Sequence, residues 1–116
     1  MLQELIKRIL TGRTSKDRAI KASEIIDLCE QSRIMYLQSS QIREVVRELR
    51  EQDVCNGYFI VSDTELGYWL SNDEKEIEHW LNSYTGRIRA MMPVVRSAKK
   101  FISREFHERL QMELGL

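Results

Sequence analysis

Apolar residues recur at helical spacing over four stretches of this chain and run continuously over two short ones. Leu2, Leu5, Ile6, Ile9 and Leu10 form one stripe, which predicts a first helix over residues 2–10. Thr11-Gly12 ends it. Arg13-Thr14-Ser15-Lys16-Asp17-Arg18 reads as a polar, basic loop, and Ala19-Ile20-Lys21-Ala22 as a short strand leading into the next helix. Ser23 is the expected N-cap there, with Glu24 just inside at the positive end of the helix dipole. Ile25, Ile26, Leu28 and Cys29 supply its buried face, and it should end near Gln31-Ser32. In the turn that follows, Ile34, Met35, Tyr36 or Leu37 is expected to plug the core. Leu37-Gln38-Ser39-Ser40-Gln41 carries a further N-cap signal, so a third helix is predicted from Ser39 or Ser40 to about Gln52, with Ile42, Val45, Val46 and Leu49 facing inward.

Asn56-Gly57 then breaks the chain. Tyr58-Phe59-Ile60-Val61 and Tyr68-Trp69-Leu70 flank a polar tip, Asp63-Thr64-Glu65-Leu66-Gly67, and together predict a β-hairpin. Ser71-Asn72-Asp73 offers three caps for a last helix, with Glu74, Glu76 and Glu78 at its positive end. Along that helix Ile77, Leu81, Tyr84, Ile88, Met91, Val95, Ala98 and Ile102 are spaced 4, 3, 4, 3, 4, 3, 4, a sustained a/d heptad seam. The seam crosses Gly86 and Pro93, and Pro93 is expected to kink or split the helix. Residues 73–112 as one helix would span on the order of 60 Å. A head of some 70 residues is only about 25–30 Å across. The seam therefore needs a second chain, or it must fold back near Gly86 or Pro93.

A length of 116 residues is one domain's worth of chain, and 42% hydrophobic with 31% charged residues is a soluble, globular composition. No apolar run approaches the roughly 18 residues that span a bilayer, and the N-terminus lacks the features of a signal peptide, so a cytoplasmic protein without membrane attachment is expected. Cys29 and Cys55 read as small, reduced core residues. With His79 and His107 they form the only conceivable metal set, and that set lacks the short spacings of structural zinc sites. Net charge is zero but unevenly spread: +4 over residues 1–22, −2 over 23–52, −6 over 53–86 and +4 over 87–116. Basic flanks suit DNA, while opposite charges also suit subunits that meet one another. No phosphate-binding loop, nucleophile elbow or zinc-protease helix occurs, and neither catalysis nor a cofactor nor a small-molecule substrate is expected.

A helix followed directly by a two-stranded wing is the core of the winged helix-turn-helix, a frequent nucleic-acid reader. Ser23-Glu24-Ile25-Ile26, Ile42 through Arg50, and Gly67-Tyr68-Trp69-Leu70 closing the wing resemble small winged-helix proteins of phages and prophages. The same residues are similar to the DNA-binding head of biotin-ligase-type repressors. The likeness covers residues 20–71, and the heptad tail resembles the phage group more loosely. It implies a mostly α fold with a small β-wing: a winged helix-turn-helix head over 1–71 and a C-terminal helical dimerisation segment over 72–116. It also implies double-stranded DNA as partner and a setting in transcriptional regulation or phage replication, while the heptad seam from Ile77 to Ile102 points to a homodimer. Winged helices equally serve as protein–protein assembly modules, which is the alternative.

In the DNA reading the outward, N-terminal part of the third helix meets base edges. Ser39, Ser40, Gln41, Arg43 and Arg47 have the chemistry for that, since Gln pairs with adenine and Arg with guanine. Arg50 lies on the same edge as Arg43 and Arg47 on a helical wheel. Arg13 and Lys16 in the basic loop are candidate phosphate contacts. Against this stand Glu44 and Glu51, spaced to neutralise Arg47, and the acids Asp63 and Glu65 at the wing tip. Trp69, Trp80 and Tyr84 are expected to bind the head to the base of the last helix. The basic residues from Arg87 to Arg109 read as the polar flank of a coiled coil.

Overall fold

A computed structural model describes residues 2–32, 37–52 and 55–114. It is mostly helical, with one two-stranded antiparallel sheet and a long C-terminal helix. The elements are α1 (Leu2–Leu10), a single 3-10 turn (Lys16–Arg18), α2 (Ala22–Gln31), α3 (Ser39–Gln52), β1 (Phe59–Asp63), β2 (Gly67–Ser71) and α4 (Glu74–Leu114). By internal contacts the chain divides into Met1–Trp80 and Leu81–Leu116.

The first unit is built on the stripes the sequence displays. Ile6 and Leu10 of α1, Ile25 and Cys29 of α2, and Ile42, Val45, Val46 and Leu49 of α3 are buried in one core. Each fully buried aliphatic side chain contributes about 1.5–3 kcal/mol. Leu37 is half-buried against this core, while Ile34, Met35 and Tyr36 lie outside the described residues.

The hairpin pairs Phe59 with Ser71, Ile60 with Leu70, Val61 with Trp69, Ser62 with Tyr68 and Asp63 with Gly67. Successive side chains alternate between faces. Ile60 and Leu70 join the helical core, whereas Val61 and Trp69 join a second cluster with Trp80, backed by Ala19, Phe59 and Ile77. A sheet covered on both faces explains the continuous apolar runs of its strands. Its outer edge is also occupied. Ile20 and Tyr68 exchange backbone hydrogen bonds of 2.9 and 2.8 Å, and the Leu70 amide donates to the Arg13 carbonyl at 2.8 Å. The expected strand before α2 is thus an isolated bridge at Ile20. Gly67 is demanded by this approach: its φ is +99°, and a Cβ there would lie 2.2 Å from the Ile20 carbonyl oxygen.

The helix starts depart from expectation at α2. Lys21, not Ser23, is the N-cap, and the helix begins at Ala22. The Ile20 bridge delivers the chain two residues earlier than cap preference alone suggests. Glu24 serves at the third helical position, where Oε1 accepts the Lys21 amide at 3.2 Å. At α3 the same device recurs, with Gln41 Oε1 accepting the Gln38 amide at 2.7 Å. Asp73 caps α4 through the Lys75 amide at 3.1 Å.

The first unit extends past residue 71 to Trp80, because the opening turns of α4 pack inside it. Trp69 Nε1 donates to Glu76 at 2.6 Å, Trp80 Nε1 donates to Ser62 at 3.3 Å, and Ile77 backs the second cluster. Ile77, read as the first residue of the association seam, is therefore already engaged. In the second unit α4 continues through Gly86 and Pro93 as one helix and does not split at the proline. Tyr84 of the second unit is 41% exposed. Among the described residues no helix is long and apolar enough to cross a membrane.

Candidate nucleic-acid interface

The inward spacing of Ile42, Val45, Val46 and Leu49 forces the opposite face of α3 outward. Ser39, Ser40, Gln41, Arg43 and Arg47 are all exposed on it. The five α3 candidates are thus gathered on one element, three of them in its first turn, where backbone N–H groups also point outward. Gln41 uses its Oε1 on the Gln38 amide, which leaves its NH2 to donate. Arg47 is held by Glu44 on one side and by Glu51 at 3.5 Å on the other. The hydrogen bond and charge of Glu44, aided by Glu51, raise its already high pKa. Glu48 accepts from the Gln3 amide group and ties α3 to α1. Arg43 is exposed and forms no ion pair with these acids among the described residues.

Arg50 has a different role from the one its wheel position suggested. Its Nε donates to the Ile60 carbonyl at 2.8 Å and its Nη2 to Ser62 Oγ at 3.2 Å. The guanidinium lies 4.4 Å from the centre of the Trp80 ring and 5.7 Å from that of Phe59. These two rings meet edge to face at 4.9 Å. Arg50 therefore fastens α3 to the hairpin and to the start of α4, and it is turned away from the exposed face. Sequence spacing alone could not reveal this, because the receiving ring is thirty residues downstream.

The basic loop is likewise partly committed. Arg13 Nε donates to the Ile9 carbonyl at 3.0 Å and Nη1 to the Arg18 carbonyl at 3.1 Å, while Arg18 reaches back to the Gly12 carbonyl at 3.3 Å. Arg13 is half-buried as the clasp of this loop, whereas Lys16 is exposed. Neither is joined to the α3 group by a hydrogen bond or ion pair among the described residues.

At the hairpin tip Asp63 Oδ1 accepts the amides of Glu65 at 2.7 Å and Leu66 at 3.1 Å. Those two hydrogen bonds, with lesser help from the charges of Lys16 and His79, hold the Asp63 carboxyl below its usual pKa. Burial pushes the Cys29 thiol and the Tyr68 phenol upward, the latter opposed by Arg50 and Arg43. Among the described residues no cluster of three or more His, Cys, Asp or Glu side chains is placed to hold a metal ion. No protein-family model, curated protein or solved structure matches the chain.

Proposed function

We propose that the first unit is a winged helix-turn-helix that binds duplex DNA, with α3 as its reading helix and the hairpin as its wing. The observation that carries this reading is the element order: α1, the Ile20 bridge to the sheet edge, α2, α3, then β1 and β2. The exposed start of α3 supports it, offering two hydroxyls, an amide and the Arg43 guanidinium in one and a half turns. The reading involves no catalysis, cofactor or small-molecule substrate. The resemblance to phage proteins points to a regulatory or replication setting.

The test is a pair of single variants measured against a selected duplex and a scrambled one. Arg43→Ala should weaken binding to the selected site by about 1–3 kcal/mol and leave the scrambled duplex less affected, as loss of a guanine contact would. Lys16→Ala should weaken both duplexes about equally, because a phosphate contact carries no sequence information. Parental affinity in both variants would refute this assignment of contacts.

A second reading, an assembly module without DNA, is favoured by two observations. The outer face of α3 is largely self-neutralised by Glu44 and Glu51, and α4 carries a long exposed apolar face.

A further inference from the structure

Within the second unit, Leu81, Tyr84, Ile88, Met91, Val95 and Ile102 are all at least 40% exposed. Met92, Val94 and Phe101 widen the same face, and Val94 is 71% exposed. Together the exposed apolar side chains of this unit present on the order of 1,000 Å², against the roughly 800 Å² per partner of a standard interface. A monomer rarely leaves so large an apolar face open. Folding back is not what hides it, since the helix runs unbroken across Gly86 and Pro93.

We infer that this face is covered by a second copy of the same helix, running antiparallel, with the two-fold axis at Pro93. Heptad spacing on one chain calls for the same spacing on its partner, and a second copy supplies it. The direction follows from charge. With Leu81, Ile88, Val95 and Ile102 at a positions, the pattern continues to Glu105 at d and Arg109 at a. A parallel pair sets Glu105 opposite its own copy and Arg109 opposite its own copy inside the seam, two like-charge meetings. The antiparallel register sets Met91 against the partner's Val95, Ile88 against the partner's Ala98, and Tyr84 against the partner's Ile102. The flanks then agree as well. Val94 meets the partner's Val94 across the axis, and Arg87 falls beside the partner's Phe101, a cation over an aromatic ring. This pairing uses no residue of the proposed DNA face, so its success or failure is independent of DNA binding.

The experiment combines sedimentation with site-specific cross-linking of the full chain by a short thiol-reactive reagent. The parent, which carries Cys29 and Cys55, serves as background. The parent should sediment as a dimer at tens of micromolar, and Ile88→Asp with Val95→Asp as a monomer that keeps its helical circular dichroism. Val94→Cys should form a covalent dimer well above background. Ile102→Cys alone should not, because its own copy lies on the order of 27 Å along the axis, but mixed with Tyr84→Cys it should. A monomeric or larger-than-dimeric parent would overturn the inference. So would efficient cross-linking of Ile102→Cys to itself, which is the mark of a parallel pair.

Discussion

Arg50 and Gly67 are the single residues on which the geometry of the first unit depends most. Arg50 joins three elements through two hydrogen bonds and two ring faces. Arg50→Ala leaves the Ile60 carbonyl and the Ser62 hydroxyl without that donor and removes the cation from the Trp80 face. It should cost about 2–4 kcal/mol in urea unfolding. Arg50→Lys should recover only part, since an ammonium cannot reproduce the planar fork. An unchanged midpoint for the alanine variant would show the contact to be incidental. Gly67→Ala meets backbone rather than a movable side chain, and a methyl 2.2 Å from the Ile20 oxygen has no room. Loss of at least about 2 kcal/mol is expected, by the strain of the backbone angle and the broken sheet edge together.

At the level of elements, the hairpin tip ties stability to pH. Asp63 has a depressed pKa in the folded chain. Its contribution is therefore present above the unfolded value, near 3.9, and is lost as pH falls through the lower folded value. Asp63→Asn keeps an acceptor for the Glu65 and Leu66 amides but should remove this acid sensitivity, as a carboxyl titration followed by NMR will show. The same variant combined with Glu65→Lys lightens the acidic tip while preserving its turn. In the DNA reading it should strengthen nonspecific binding and steepen its salt dependence; a marked loss of affinity would mean that the acids themselves touch DNA. Periodicity in the sequence set α1, α3 and the hairpin close to their observed bounds, because in each the buried stripe is nearly complete within the element. The start of α2 is not legible from the cap preference of Ser23, because a tertiary bridge at Ile20 decides where the helix opens. The engagement of Arg50 and Ile77 is not legible for a related reason: their partners are long-range, and a helical wheel records only the helix. The exposed α3 residues followed directly from the inward stripe. Of their individual engagement, the neutralisation of Arg47 is legible in its charge spacing, whereas the hydrogen bond of Gln41 to the Gln38 amide depends on the local fold.

For the whole molecule the charge distribution bears on function more than the net value of zero. The acidic stretch over residues 53–86 includes the hairpin and the cap of α4, so the hairpin is an unfavourable element to bring near phosphate. The cations of the α1–α2 loop and the start of α3 must then supply the attraction. Titration of the full chain with a mixed-sequence duplex, followed by fluorescence anisotropy between about 50 and 200 mM salt, measures this most directly. The account requires binding at low salt whose affinity falls as a power of salt concentration, with about 0.9 in slope for each phosphate engaged. No binding at the lowest salt, or an affinity indifferent to salt, would contradict it and leave the assembly reading in its place.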